Sequence, residues 1–594
     1  MSYWNDILQS RLSRRRVLAG TAGVGAGVLA LSLSGCSGDD EGAKTKDRSG
    51  LLTQVEDSTK KAQVGGIWPH YETEKLTGIS PLGAAQNSGL GAYVYSRLLR
   101  NKAFISPEAI EAGVEPDLAT SWEVSNDRVV FKLRPNVKFD SRPPTSGRNL
   151  DIEDVKWSWN LWSSISPSRG EILNSVSPNS PITGMETPDA QTVVFKMAFP
   201  MAAVELRFAY QRYLYVLPVD AESKFDAKVD ARGSGPFTLT KNTPSVGYEF
   251  RRNPSWHISG LPYLEGINTT FINDYAQRVA QLKAGNLWAS DVRQEDVISV
   301  KREQPKLAMY AQPFPPSRPD NIGFSQLPGS PFLDVRVRRA MSMMVDREAW
   351  IDVFYNVAAF RKEGLPVESR WHSHFGAGEA PFWHNPQGKE LGEGAQYFQL
   401  NVAEAVKMIK AAGHEKITAP MQFEAPVGER FAQVFAGMFN DSGVFNISLT
   451  PLTSADHTRI IHTGKGQFEG LGSRFAPGAG GDIDQYLSTR FNVPAADFNM
   501  FKEPIPKIQP LVEAQRKELD AKKRLDILFQ LEKEMALQMP TLPHAGIANG
   551  FDIAWPHLAN FNAFSTNSPG ANIAGQTAAA DVWIHYWYDK SKQV

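Results

Sequence analysis

The chemistry-bearing residues of this chain are sparse, and they do not assemble into a familiar catalytic pattern. His372 and His374, with His384 ten residues on, are the one histidine cluster that could offer imidazole ligands to a metal. They sit in the run Trp371-His372-Ser373-His374-Phe375, which lacks the i, i+4 spacing that places two ligands on one helix face, so they read as a loop with two solvated histidines. There is no G-x-S-x-G elbow, no H-E-x-x-H helix and no G-x-x-x-x-G-K-[ST] phosphate loop. The single cysteine, Cys36, rules out an intramolecular disulfide or a cysteine metal pair. Carboxylates are plentiful, but no two can be given acid and base roles from sequence. The chain therefore reads as a binder with no cofactor and no metal.

Composition narrows this further. A chain of 594 residues is long enough for two or three domains, and its net charge of -1 provides no field to recruit nucleic acid or anionic lipid. An apolar content of 42% argues against disorder. Recognition has to come from a local site.

The elements that would position such a site are clearest from Gly233 to Asp291. Gly233, Gly235 and Pro236 break the chain; Phe237, Leu239, Tyr248 and Phe250 then alternate with polar residues across a turn at Pro244 and Gly247, predicting a hairpin. A third strand is expected around Asn268 to Ile272, then a helix capped by Asp274 and stopped at Gly285. Elsewhere, Asp151, Asp346, Asn401 and Asp520 each precede a run with helical periodicity, as N-caps do. Val337, Ala340, Met341, Met344 and Val345 form one apolar helix stripe. Trp122 and Phe131 lie on alternating strands and read as core residues.

Several of these stretches carry a resemblance. Gly233-Ser234-Gly235-Pro236-Phe237, Arg252-Asn253-Pro254-Ser255-Trp256, Leu261-Pro262-Tyr263-Leu264-Glu265 and Leu282-Lys283-Ala284-Gly285 follow one another as the hub-lobe motifs of the family 5 extracellular solute-binding proteins do, the peptide and nickel class of ABC-importer receptors. Glu115 to Val124 and Pro331 to Ala340 are similar to two further family motifs, and the resemblance spans about 65 to 545. It implies an α/β fold of the type II periplasmic-binding-protein kind (cluster C), a two-lobed clamshell with an inserted domain. The implied division is a hub from 63–82, 220–315 and 541–594, an inserted lobe 83–219 and a closing lobe 316–540, hinged near Pro313 to Pro319 and Pro540 to Pro543. The implied activity is capture of a peptide or another small polar solute and delivery to ABC permease subunits, by a monomer that breaks no bond. A secreted hydrolase and a receptor that presents ligand without transport are the alternatives.

The same resemblance locates the site. Peptide-binding relatives line the cleft with a W-x-A-D-Y-type segment, whose aspartate holds the ligand amino terminus. The matching stretch runs from Leu471 to Leu487. Its tail, Asp482 to Leu487, fits, but Arg474-Phe475 replaces the acidic core and a glycine-rich insert follows. An arginine fork prefers carboxylate or phosphate, so the expected ligand has an anionic or hydroxyl-rich group, stacked on Phe475, Trp371 or Trp383, with Asp482 and Asp484 nearby. The other possibility is that Arg474 pairs with Asp482 or Asp484 and never meets ligand.

The first 35 residues read as a leader. Arg14 and Arg15 lie in Ser13-Arg14-Arg15-Arg16-Val17-Leu18, which resembles a twin-arginine export motif, and Leu33-Ser34-Gly35-Cys36 resembles a lipoprotein cleavage box. Cys36 is the expected lipidation point, anchoring the protein on the outer face of the cytoplasmic membrane. Residues 36–62 are polar enough to read as a tether.

Overall fold

The computed structural model describes the chain except for residues 1–45, 74–78, 83–87, 106–112, 211–212, 313, 315–320, 380–381, 475–481, 494–500, 566–579 and 594. Arg14, Arg15, Cys36 and Phe475 lie outside the described residues.

The glycine and proline cluster at Gly233 does more than break the chain. A Cβ at Gly233 would lie 1.7 Å from the carbonyl oxygen of Val94, and Gly235 N donates to that oxygen at 2.8 Å. Two glycines are thus required where the hub sheet starts against helix Ser88–Val94. From there Phe237–Thr243 and Gly247–Arg252 form the expected hairpin. The third strand, Gly266–Phe271, starts slightly earlier than the sequence suggested. It pairs antiparallel with the hairpin and parallel with Ile67–Glu72, completing a four-stranded sheet. Asp274 caps helix Tyr275–Lys283 by accepting from Gln277 N at 2.7 Å, and Gly285 follows it in the left-handed region.

Residues 119–197 build a second sheet, in the order Ala119–Val124, Arg128–Leu133, Thr192–Met197, Ile182–Asp189, antiparallel throughout. Phe131 packs edge-on to Phe195 and Phe208, with ring centroids 5.9 and 4.8 Å away. Helix Ile152–Ile165, held by a complete capping box at Asp151 and Asp154, lays Trp159 on the same cluster. Trp122, expected in the core, is only half-buried. One apolar core runs without a break from the first sheet through the second and on to Trp583 and Tyr586 near the C-terminus.

A third sheet has the order Phe445–Leu452, Ile417–Glu424, Leu471–Arg474, Asn321–Phe324, Leu542–Pro543. Its first three strands are parallel and its last two antiparallel to their neighbours. Phe375, Tyr486, Leu528 and Leu531 belong to a separate core beside it. Helix Val335–Met343 runs alongside, and its arginines are not idle surface charges. Arg338 donates to the carbonyls of Gln538 and Met539 (both 2.9 Å) and Arg339 to that of Leu537 (2.7 Å), closing the C-terminus of helix Ala521–Gln538 with cations as its dipole favours.

The chain passes between the first and third sheets twice, and the two passages run side by side. Ala308–Ala311 pairs antiparallel with Phe551–Ala554, and Asn321–Ile322 pairs antiparallel with Leu542–Pro543. Between them Gly546–Ala548 pairs with Ser369–Trp371. The returning chain therefore changes partners between Ala548 and Phe551.

The stretch up to 62 is not a free tether throughout. From residue 46 it lies on the body: Arg48 N donates to Gly364 O at 2.9 Å, Thr53 N to Met309 O at 2.7 Å, and the Ser58 backbone and hydroxyl both reach Asn560 Oδ1. Ser58 Oγ also accepts from Trp587 Nε1 at 2.9 Å. Backbone bonds, the Ser58 hydroxyl and Val55 packed on the apolar core dock a segment whose composition argues against burial.

Candidate functional site

Both passages of chain meet at the carboxyl end of strand Leu471–Arg474. Asn321, the first described residue after the outward passage, stands opposite Arg474 on one side and Pro543 on the other. Its buried side chain donates to Tyr486 Oη at 3.0 Å and accepts from Thr541 Oγ at 2.9 Å, so one asparagine ties the outward passage, the return passage and helix Ile483–Phe491 together. Ligands of open α/β sheets bind beyond the carboxyl ends of the strands, and strand Leu471–Arg474 starts out parallel to its neighbour Ile417–Glu424, paired through Leu471 and Gly472.

Of the residues singled out from sequence, Arg474 is the last of this strand, and Phe475 with the glycine-rich insert lies outside the described residues. Asp482 caps the following helix, accepting from Asp484 N at 2.7 Å. Its carboxylate also takes two bonds from Arg524, Nη1 at 2.8 Å and Nη2 at 2.5 Å. Burial alone would push the Asp482 carboxyl up; the Arg524 charge and its hydrogen bonds outweigh that and hold it below the usual range. Asp484 is completely buried, 3.0 Å from Arg207 Nη2 and 3.3 Å from Arg516 Nε, and it accepts from Gln515 Nε2 at 2.7 Å. Both carboxylates are built into a network.

Trp371 and Trp383 pack together within the closing region. Trp371 is buried, donates to Glu348 Oε1 at 2.7 Å, and receives the Trp383 indole N–H on its carbonyl at 3.0 Å. The expectation that His372 and His374 are solvated is overturned. They are 3% and 0% exposed, and burial pushes their pKa values down to about 3 and about 4, which keeps them neutral. The cause is strand pairing that sequence could not reveal: Trp371 faces Gly546, and His372 N donates to Ala545 O at 3.1 Å. His384 is directed at Glu532 instead, with Nδ1 2.7 Å from Oε2. Among the described residues no three His, Cys, Asp or Glu side chains gather to hold a metal ion.

Reading the sequence missed the partners of Asp484. Arg207 Nη1 lies 3.2 Å from Tyr213 Oη, which donates to Glu171 Oε2 at 2.6 Å. Gln485 Nε2 donates to the same Glu171 oxygen at 2.8 Å. Arg207 and Asp484 are 277 positions apart, and Arg207 lies in none of the motifs, so no local signal joined them.

Two bodies with separate apolar cores, joined by a doubled passage that converges on the end of a mixed sheet, define the fold of the type II periplasmic binding proteins, α/β and two-lobed. The chain belongs to a particular family within that class: residues 113–494 match the bacterial extracellular solute-binding proteins, family 5. A curated relative, di/tripeptide-binding protein 1 of Pseudomonas aeruginosa, is 24% identical over 459 residues, 73% of this chain and 80% of that protein. Among solved structures, the periplasmic binding protein DppA of Helicobacter pylori in complex with the peptide STSA superposes with a TM-score of 0.69 at 14% identity, covering 89% of this chain and 99% of that one. NikA of Brucella suis in complex with Fe(III)-EDTA gives 0.66 at 16% identity, covering 89% and 100%. The protein is a solute-binding protein, and none of its described helices is long and apolar enough to cross a membrane.

Proposed function

We propose that the protein captures a peptide, or another small organic solute bearing an anionic group, between its two bodies and delivers it to ABC permease subunits. The observation that supports this most is the paired double passage at the end of strand Leu471–Arg474, in a chain whose curated relative is named a di/tripeptide-binding protein. Two adjacent passages act as one hinge axis, and a ligand that contacts both bodies favours the closed arrangement by its differential affinity. Arg474, with Phe475, is the proposed anion-binding and stacking contact. Asp482 and Asp484 are already engaged by arginines, which supports giving the ligand-facing charge at this strand end to Arg474. No bond is broken, and the energy for transport comes from a separate ATPase.

The leader is proposed to send the protein through the twin-arginine route, with Cys36 diacylated after cleavage; two acyl chains suffice for stable anchoring. The domain division is proposed as a hub of 63–82, 220–315 and 541–594, an inserted lobe 83–219 and a closing lobe 316–540. The protein is proposed to act as a monomer.

Mass spectrometry of small molecules released from the purified protein tests the ligand class, and calorimetry with the recovered compound tests the site. Arg474→Ala is expected to weaken binding at least tenfold, and unchanged affinity removes Arg474 from it. Recovery of a chemically altered ligand after incubation points to the hydrolase alternative. Failure of Cys36→Ser to abolish incorporation of a labelled fatty acid removes the anchor.

A further inference from the structure

The network around Asp484 crosses the seam between residues 169–213 on one side and residues 482–524 on the other. Among the described residues, polar side-chain contacts and a backbone bond span it, beside Arg516 and Lys517 over the Phe199 ring at 5.9 and 5.4 Å from its centroid. Arg207 meets Asp484 at 3.0 Å, Gln485 Nε2 donates to Glu171 at 2.8 Å and to Tyr213 Oη at 3.2 Å, Arg516 Nη1 donates to the carbonyl of Asn179, and Ala202 N donates to Arg516 O at 2.8 Å. Arg207, Asp484, Gln485 and Arg516 are at most 4% exposed.

Two features set this seam apart from permanent packing. First, each side keeps partners of its own: Asp484 has Gln515 and Arg516, Asp482 has Arg524, and Tyr213 has Glu171. Parting the sides therefore leaves each of these carboxylates with a partner, while Arg207 keeps only Tyr213 Oη and exchanges its ion pair for water, which limits the cost of a broken buried pair. Second, the described apolar clusters stop on either side of it. The largest contains Phe208 and Tyr213 but nothing between 311 and 553, and the other two hold residues from 375 to 539 only. A seam of directional polar bonds between two polar surfaces can open into water and close again, whereas an apolar seam would expose hydrocarbon each time. Among the described residues, the buried Gln485 Oε1 and Arg516 Nε find no hydrogen-bond partner, so the closed seam does not use every group it holds.

We infer that this seam is a closure latch, in which Arg207 and Gln485 hold a closed population of the ligand-free protein across to Asp484 and Glu171. The inference rests on the proposed hinged reading of the two bodies. Asp484 is a positioning residue here and need not touch ligand. The device would set ligand affinity from a distance, because affinity scales with the fraction of molecules already in the binding-competent arrangement.

The test uses the full chain with Cys36→Ser and spin labels on cysteines replacing the exposed Lys196 and Lys507, one on each side of the seam. Pulsed electron resonance then reads the distance distribution without ligand. The wild-type background is expected to show a short-distance population. Arg207→Gln is expected to lower the short-to-long ratio about fivefold or more, the size of coupling that contacting groups in one network show. Gln485→Ala, which removes only cross-seam side-chain bonds and spares every charge, is expected to act in the same direction and guards against a misfolded Arg207 variant. The double variant Arg207→Gln, Asp484→Asn should do no more than Arg207→Gln alone. Absence of a short population in the background protein, or ratios unchanged in both single variants, overturns the latch. Adding trialanine separates the two readings: if it leaves the distribution unmoved while Arg207→Gln still widens it, the latch stands and the peptide reading fails.

Discussion

The hub core and the seam are both fully buried, yet they are made of opposite materials. In the hub, Trp583 sits against Trp68 at 4.8 Å, His70 at 4.7 Å and Tyr93 at 5.6 Å between ring centroids, and the buried Trp68 Nε1, both His70 ring nitrogens and the Tyr93 hydroxyl have no hydrogen-bond partner among the described residues. In the seam, the buried Arg207, Arg516 and Arg524 each face a buried carboxylate. The difference reflects what each region must survive. A core that never opens gains most from aromatic area and can carry a few unpaired polar atoms. A surface that meets water in part of its working cycle needs groups that are stable in both settings.

The largest expected effect is in the hub. Trp583→Ala removes a side chain that is 1% exposed and touches three other rings, and should cost about 3–5 kcal/mol in denaturant unfolding. A cost well under about 1 kcal/mol would show that the C-terminal segment is not integral to that core. Next, Arg524→Ala leaves the buried Asp482 carboxylate without its bidentate partner, at a cost of about 3 kcal/mol. Arg524→Ala together with Asp482→Asn should recover part of that loss, and no recovery would mean that Arg524 acts through packing.

Acid should separate the regions. Burial pushes the His70 pKa from 6.5 down to about 3, so below pH 6.5 the unfolded chain takes up a proton that the folded chain refuses. Stability from His70 is therefore complete above 6.5 and is lost progressively towards 3. Asp482 is held below its ordinary value of 3.8, so its contribution is complete above 3.8 and falls only at lower pH. Hydrogen exchange on lowering pH from 7 to 4.5 should show loss of protection in strand Ile67–Glu72 before helix Ile483–Phe491, and His70→Phe should delay it. The reverse order would break the comparison. The smallest effect is local: Asp151→Ala should cost about 1 kcal/mol by removing a cap far from either region, with no change in ligand affinity.

Much of the local architecture was legible. Asp151, Asp274, Asp346 and Asp520 all cap helices as their spacing indicated, because a cap is a contact between neighbours in sequence. The hairpin after Gly235 was equally plain, although the close approach to Val94 that demands Gly233 was not. His372 and His374 were misplaced because polarity suggests solvent, whereas a strand from residue 546 onwards covers their segment. The docked stretch from 46 to 62 was misjudged for the converse reason: a few specific hydrogen bonds outweighed its polar composition.

By itself the sequence determined which segments form helices and strands, that one cysteine precludes stapling, and that no global charge recruits a partner, since each follows from composition or from residues a few positions apart. Only the tertiary structure decided that Arg207 would face Asp484 and that Asn321 would join both passages of chain. Those pairs meet through sheet order and hinge geometry, and the free energy that brings them together is spread over two apolar cores far from the residues it positions.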